Sequence, residues 1–353
     1  MTDGVLSAIG NTPLVALRRL VRTRRFRLFA KLEAANPGGS IKDRAALSLL
    51  RGAIRAGRVG VDTVVVESSS GNMGIGLAQA CAVLGLRFIC VVDARTTAQN
   101  VAILRAYGAE IEVVDEPDPS GGGFLRARVE RVRTIVAGLP CAFWPNQYGN
   151  MNNALAHRQT MHEIVAALDG KVDFLFCPTS TCGTIRGCAD YVREHGLRTV
   201  IVAVDAIGSV IFDAPHGREP MPMTVRLIPG HGAAVRPALY REGVADVCVH
   251  VSDLECVVGC RRLVATEGIL AGGSSGAAVM AVERLADRLG EGATCVVMFP
   301  DRGERYLDTI YSDDWVRTHF GVVPSLWQEP PGPDPAPCRD DVAVEYARLA
   351  SSG

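Results

Sequence analysis

The chain has almost no net charge, no paired cysteine motif and no long apolar run, and each absence narrows what it does. Lys plus Arg number 37 and Asp plus Glu 38 in 353 residues, a formal charge of −1. That balance points to neither a nucleic-acid nor a membrane-surface partner. The one conspicuous basic stretch, Arg18 to Arg27, reads as a solvated surface segment. No run of about 18 uncharged apolar residues occurs, so no spanning helix is expected. The N-terminus, MTDGVLSAIGNTP, lacks the basic-then-apolar pattern of a secretory signal, and a cytoplasmic location is expected. The 11 cysteines show no C-x-x-C spacing. Most lie inside apolar runs, as Cys81, Cys90, Cys177, Cys248 and Cys295 do, and read as buried thiols in a reduced compartment. Cys256 and Cys260 can share a helix face, but the two further ligands that zinc would need are not evident nearby. There are no internal repeats.

What is present is a repeating order of apolar strand, Gly or Ser turn, and Ala-rich helix. VDTVVVESSSGNMGIGLAQACAVLG begins β-branched, turns at Ser68 to Gly71, then reads as a helix. RFICVVD and AEIEVVD are strands, with a helix ended by Gly108 between them. FLRARVERVRTIVAG carries apolar residues at Leu125, Val129, Val132 and Val136 and reads as a helix. VDFLFCPTSTCGTIRG, TVIVAVDAIGS and CVVMFPDRG continue the series. Alternation of this kind predicts parallel sheets in an α/β fold, with ligands bound beyond the carboxyl ends of the strands. From Gln328 the chain turns Pro-rich and polar, which predicts a linker or loose arm, with a short helix in DDVAVEYARLA.

Four turns carry candidate chemistry. In NPGGSIKDR, a Gly pair precedes a helix starting near Ser40, and Lys42 falls in its first turn. A helix N-terminus is a poor place for an ordinary ammonium, but its field and partial burial favour the uncharged amine that Schiff-base chemistry needs. In ESSSGNMGIG, three hydroxyls, an amide and backbone N–H groups meet at a strand–helix junction, which suits an anion or simply caps a helix. The glycine spacing is not that of a dinucleotide fold. In CPTSTCGTIRG, small residues lead into another helix and can cradle a phosphate. The lysine of a P-loop is missing, which excludes a nucleoside triphosphate reading. In EGILAGGSSGAAV, a serine hydroxyl can meet a heteroaromatic nitrogen, or the turn is a close-packed helix start.

These segments in this order, with NTPLV at Asn11 and NQYGN at Asn146, resemble the fold type II pyridoxal-5′-phosphate (PLP) enzymes of the cysteine synthase family, over roughly residues 4 to 317. The resemblance implies an α/β fold of two three-layer α/β/α domains with the cofactor between them. The large domain would be residues 1–42 plus 147–325, the small mobile domain 43–146, and the tail 326–353. Lys42 would be the Schiff-base lysine and later the proton-transferring base. Asn72 would bond the PLP 3′-oxygen, and Ser180, Thr181, Cys182, Gly183 and Thr184 would hold the phosphate. Ser274 would bond the pyridine nitrogen, where a neutral hydroxyl makes a weaker electron sink and favours loss of a β-group over transamination. Ser69, Ser70, Asn72 and Gln147 would grip the substrate α-carboxylate. The resemblance also implies a homodimer and β-replacement chemistry through an aminoacrylate.

Departures from the family pattern sharpen this. The phosphate loop, Ser-Thr-Cys-Gly-Thr, is poorer in glycine than usual; Met73 stands where Thr is usual and Tyr148 where Phe is common. VDEPD, WPNQYGN, VAVDAIGSVIF, AGGSSG and PDRGERYLD together resemble the branch serving 2,3-diaminopropionate in siderophore and peptide-antibiotic pathways. That branch implies O-phospho-L-serine as activated serine and L-glutamate as amine. Arg128 would then hold a carboxylate, expected to be glutamate's, with Tyr148 and Ser180 as hydrogen-bonding groups. A solvated basic face shared with Arg126, Arg131 and Arg133 would also explain Arg128. A cysteine synthase, and an idle regulatory protein on the same fold, are the competing readings; intact Lys42, Asn72 and Ser274 count against the second.

Overall fold

The structure is a computed structural model that describes residues 4–20, 25–119, 123–212 and 226–321. The Pro-rich tail and its expected helix lie outside the described residues. Along the chain run β1 (Leu14–Ala16), β2 (Arg27–Leu32), α1 (Lys42–Arg55), β3 (Val64–Ser68), α2 (Asn72–Leu84), β4 (Arg87–Asp93), α3 (Ala98–Ala106), β5 (Glu110–Val114), α4 (Gly123–Gly138) and β6 (Ala142–Phe143). Then follow α5 (Met151–Ala167), β7 (Phe174–Pro178), α6 (Gly183–Glu194), β8 (Val200–Ala206), β9 (Val247–Val251), α7 (Asp253–Glu267), α8 (Gly273–Leu285), β10 (Thr294–Phe299) and α9 (Asp313–Phe320).

The strands form two sheets, ordered β1-β2-β10-β7-β8-β9 and β5-β4-β3-β6. All pairings are parallel except one: β1 runs antiparallel to β2 at the edge of the larger sheet. Parallel strands need cover on both faces, and β3 (VVVES) and β10 (TCVVMF) are buried at every position. Cover comes as four apolar clusters, two per sheet. On the larger sheet, α7 and α8 bring Val257, Leu263 and Val282 to one face. Met161 and Ile164 of α5 and Ile185 of α6 lie on the other. On the smaller sheet, α1 and α2 bring Leu49 and Leu77 to one face, and α4 brings Val132 to the other. Each sheet is thus the middle of a three-layer sandwich. Cys256 and Cys260 do share a face of α7, and both are buried in the core. Among the described residues no cluster could hold a metal ion, and no helix is long and apolar enough to cross a membrane.

Helix α1 packs against α2 on one side and α5 on the other, so it touches both halves. Its first turn is held by buried charges. Arg44 Nε lies 2.7 Å from Glu33 Oε2, and Arg44 Nη2 lies 2.7 Å from Glu163 Oε2. Lys31 of β2 reaches the same Glu163 oxygen at 2.7 Å. This network fixes the start of α1, where Lys42 stands, against the larger sheet.

Candidate active site

A cavity of about 790 Å³ opens between the two sheets. It lies beyond the carboxyl ends of β3, β7 and β10, whose following loops all line it. The thirteen residues singled out in the sequence meet there: Lys42, Ser69, Ser70, Asn72, Arg128, Gln147, Tyr148, Ser180, Thr181, Cys182, Gly183, Thr184 and Ser274.

Lys42 opens α1. Its backbone N–H donates to Ser40 Oγ at 3.2 Å, and its amine makes no hydrogen bond among the described residues. Burial lowers its pKa, with Asp301 pulling the other way. The amine is therefore closer to the neutral nucleophile than a surface lysine is.

Asn72, at the start of α2, is locked by three residues that sequence reasoning did not single out. Its Nδ2 donates to Asp301 Oδ2 at 2.7 Å, and Arg305 Nη1 donates to its Oδ1. Tyr306 Oη donates to the same Asp301 oxygen at 2.5 Å. The amide orientation is thus decided, and one Nδ2 hydrogen is left for a ligand. Asp301 is buried, burial raises its pKa, and its Oδ1 has no partner. The position was legible in principle, because PDRGERY directly follows β10 at the carboxyl edge of a parallel sheet.

The turn after β7 leads into α6. Cys182 sits in the left-handed region (φ 63) at the helix N-cap. That conformation normally calls for glycine and costs other residues about 1 kcal/mol. Here the side chain is buried among Ile185, Cys188 and Met298, which offsets the cost. Within the turn Gly183 N–H leans on Thr181 Oγ1 at 3.4 Å, and Arg186 N–H is the helix donor that reaches back to Cys182 O, at 3.0 Å. The N–H groups of the first helical turn therefore remain for an anion. Thr184 Oγ1 is 3.3 Å from His157 Nε2, and His157 Nδ1 is 3.3 Å from Thr160 Oγ1. Burial, then the charges of Lys42 and Arg44, hold His157 well below the usual histidine pKa. Ser274 lies in the first turn of α8, and its hydroxyl makes no hydrogen bond among the described residues.

The Ser69–Gly71 loop divides its work. Ser69 Oγ accepts from Gly74 N–H at 2.9 Å, so this hydroxyl shapes the start of α2. Ser70 Oγ donates to Asp93 Oδ2 at 3.0 Å and accepts from Arg128 Nη1. Arg128 also lies 3.3 Å from Asp93 Oδ2. Arg128 is only 8% exposed and its Nε has no partner, whereas Arg126, Arg131 and Arg133 on the same helix are exposed. A solvated basic face does not describe Arg128. It touches Ser70 in the loop after β3.

Glu67 is a fourth residue that sequence reading passed over. Trp144 Nε1 donates to Oε1 at 3.0 Å, Ser68 N–H to Oε1 at 2.8 Å and Gln147 N–H to Oε2 at 3.1 Å. Gln147 Nε2 then donates to Ser68 O at 3.0 Å. Burial outweighs these donors and pushes the Glu67 carboxyl up to about 7. A carboxyl whose folded pKa is raised from about 4.3 holds its proton longer when folded, so its contribution to stability falls as pH rises from there towards 7. Glu67→Gln turns an amide N–H against a ring of donors and should cost about 1–3 kcal/mol. Urea unfolding should show that cost larger at pH 5 than at pH 8. A cost independent of pH would remove Glu67 from this account.

The cavity thus offers a buried amine of low basicity, an anion cradle at a helix N-terminus, and a free hydroxyl and amide hydrogen between them. The chain matches the family described as "Pyridoxal-phosphate dependent enzyme" across residues 5–301. It is 47% identical over 319 residues to N-(2-amino-2-carboxyethyl)-L-glutamate synthase of Ralstonia nicotianae (strain ATCC BAA-1114 / GMI1000), covering 90% of this chain and 91% of that protein. Among solved structures it is similar to cysteine synthase from Entamoeba histolytica, with a TM-score of 0.80 and 32% identity over 88% of this chain and 91% of that one. It is also similar to the O-acetylserine dependent cystathionine beta-synthase from Helicobacter pylori, with a TM-score of 0.79 and 29% identity over 88% and 99% of the two chains. A family match that takes in β1 through β10 and the loops after β3 and β7 has one meaning: the chain belongs to the pyridoxal-phosphate dependent enzymes.

Proposed function

We propose that the protein condenses O-phospho-L-serine with L-glutamate, giving N-(2-amino-2-carboxyethyl)-L-glutamate and phosphate. In that reaction the β-carbon–oxygen bond of phosphoserine breaks and phosphate leaves with the electron pair. A bond forms from the glutamate nitrogen to the β-carbon, the nitrogen loses a proton, and the α-proton removed at the start is replaced at the end. The relative named for synthesis of N-(2-amino-2-carboxyethyl)-L-glutamate supports the reading. The observation that carries it is Arg128, a buried guanidinium beside Ser70 in the cavity, where a substrate more anionic than acetylserine would need it.

The residues fit pyridoxal phosphate. The unpartnered amine, hydroxyl and anion cradle are the groups an aldehyde, a ring nitrogen and a phosphate require. Bound there, the cofactor supplies an electrophilic carbon for amino groups and draws electrons from the α-carbon. Lys42 holds it covalently, and its Nζ, once released, takes the α-proton and later returns it. Ser180, Thr181, Cys182, Gly183 and Thr184 hold the phosphate, Ser274 meets the ring nitrogen, and Asn72 uses its remaining amide hydrogen on the 3′-oxygen. Ser69, Ser70, Asn72 and Gln147 orient the substrate α-carboxylate by shaping the loop whose backbone N–H groups face it, since the Ser70 hydroxyl donates to Asp93 and the Asn72 amide hydrogens go to Asp301 and the 3′-oxygen. Arg128, with Tyr148 and Ser180, holds the charged end of phosphoserine. In the same reading the mobile part lies within residues 43–146, beyond α1, which its ion network holds to the larger sheet, and it closes over the rest to exclude water. The enzyme works as a cytoplasmic homodimer, and its product carries a 2,3-diaminopropionate unit for a siderophore or peptide natural product.

Incubation of the holoenzyme with phosphoserine and glutamate should release phosphate and the condensed diamino acid in equal amounts, read by mass spectrometry. Product with sulfide alone would make it a cysteine synthase instead. Arg128→Met should raise the KM for phosphoserine about 10- to 100-fold, the worth of one or two charge-assisted hydrogen bonds. An unchanged KM would return Arg128 to a structural role with Asp93.

A further inference from the structure

The cavity continues past these residues under a loop spanning 226–234. The loop is pinned at both ends. Leu227 N–H donates to Asp253 Oδ2 at 2.7 Å, and Ala233 N–H to Ser209 Oγ at 3.1 Å. Gly232 N–H donates to Thr179 O at 2.8 Å, one residue before the phosphate turn. Ile228 packs so closely on the start of α8 that a Cβ on Gly273 would meet its Cγ2 at 2.4 Å. The loop therefore roofs the space between the phosphate turn and Ser274.

Its backbone is built to turn one side chain inward. Gly230 (φ 74) and Gly232 (φ 70) are both left-handed, and a Cβ on Gly232 would stand 2.7 Å from Ala206 Cβ. Between them, His231 lines the cavity, is 1% exposed, and neither ring nitrogen has a partner. Arg226 lines the same end and is half-buried. Among the described residues its one hydrogen bond is from Nη1 to Gly208 O at 3.4 Å, and no carboxylate there lies within 4.0 Å of its guanidinium nitrogens. Burial pushes His231 down to about 3, so the ring is neutral and has one donor to give. A buried imidazole without a partner is costly unless a ligand completes it, and beside it stands a half-buried guanidinium that Asp205 and Asp253 act on without touching among the described residues, leaving it donors to give.

We infer that Arg226 and His231 form the acceptor subsite and hold a carboxylate of the incoming amino-acid nucleophile. This rests on the reaction proposed above and adds what selects its second substrate. The first substrate's anionic groups are accommodated elsewhere, at the loop after β3 and at Arg128. A dicarboxylic amino acid is the class of nucleophile that fits, with its amine towards Lys42 and a carboxylate on the 226–231 loop.

The test uses the holoenzyme, wild type and three variants: Arg226→Gln, Arg226→Lys and His231→Phe. Two steps are read separately, namely the absorbance change driven by phosphoserine alone and product formation as a function of glutamate. Arg226→Gln and His231→Phe should raise the KM for glutamate about 10- to 100-fold, the worth of one or two hydrogen bonds to a charge. The phosphoserine step and kcat should move by less than about 3-fold, the pattern of lost ground-state binding. Arg226→Lys should recover part of the loss. L-glutamine and L-isoglutamine identify which carboxylate is held: wild type should reject one of them, and Arg226→Gln should lose that discrimination. Unchanged KM and unchanged discrimination overturn the subsite, and so does an equal fall in both steps. Should Arg226→Gln fail to fold, Arg226→Lys and His231→Phe decide by the same readings. No product from glutamate with the wild type overturns the proposed reaction and the subsite together. Wild-type turnover with indifferent variants overturns the subsite alone.

Discussion

Lys42→Ala should give a protein that no longer retains pyridoxal phosphate through dialysis and has lost at least about 10³-fold in turnover, since in the proposed reaction one residue supplies both the covalent anchor and the proton transfer. The visible absorbance of the holoenzyme should vanish with it. The surroundings explain why no neighbour substitutes. Among the described residues the amine has no side-chain partner, and the carboxylate that acts on it, Asp301, is itself committed to Asn72 and Tyr306. The phosphate turn is intact in the variant, so added pyridoxal phosphate should still bind weakly and protect against heat. A Lys42→Ala protein that kept its colour after dialysis would place the anchor elsewhere.

Arg44→Ala should be the most destabilising single change near the site. It strips the partner from Glu33, whose side chain is fully buried, and from Glu163, which is 8% exposed. Breaking a buried ion network from one side costs about 3–5 kcal/mol, because the abandoned charges stay buried. In a protein of this size that should lower the unfolding midpoint by about 4–7 °C. Against the effect of burial, hydrogen bonds from Arg44 and Lys31 hold Glu163 down to about 2. A carboxyl with a depressed pKa contributes its stability above about pH 4.3 and loses it as pH falls towards 2. The difference between wild type and Arg44→Ala should therefore be widest near neutrality and narrow in acid. A midpoint within about 2 °C of wild type at pH 7 would show that the network is not what holds α1.

How much of this was legible before folding differs by residue, for physical reasons. Strands such as VVVES and TCVVMF announce themselves because burial on both faces leaves no polar alternation. Lys42, Asn72, the Ser180 to Thr184 turn and Ser274 follow strand–turn or helix-start patterns, so local sequence carries them. The antiparallel β1 has three residues, too few for a periodic pattern to mark its direction. Asp301, Arg305 and Tyr306 acquire meaning only beside Asn72, 229 or more positions away, and no local pattern encodes that meeting. Arg128 shows the limit most clearly. Four arginines share one helix in the sequence, and burial against Ser70 and Asp93 separates this one from the other three. His231 and Arg226 sit in a segment with no strand or helix pattern, where only the cavity reveals which side chains point inward.

Helix α1 touches both halves of the molecule, but its two sides are not alike. Towards the larger sheet it is pinned by Arg44 to Glu33 and Glu163. Towards α2 it presents Ala46 and the backbone of Lys42 to Gly76, so close that a Cβ there would lie 3.1 Å from Ala46 Cβ and 3.2 Å from Lys42 O. One side is riveted by directional ion pairs, and the other is smooth and without interlocking side chains at this contact. Any rocking of the smaller sheet is therefore a shear along the α1–α2 face, with the lysine stationary and the tip of α2 held back by the bonds of Asn72 to Asp301 and Arg305. Bulk added at Gly76 would act as a brake, felt in the rate of closure before it is felt in the affinity for cofactor.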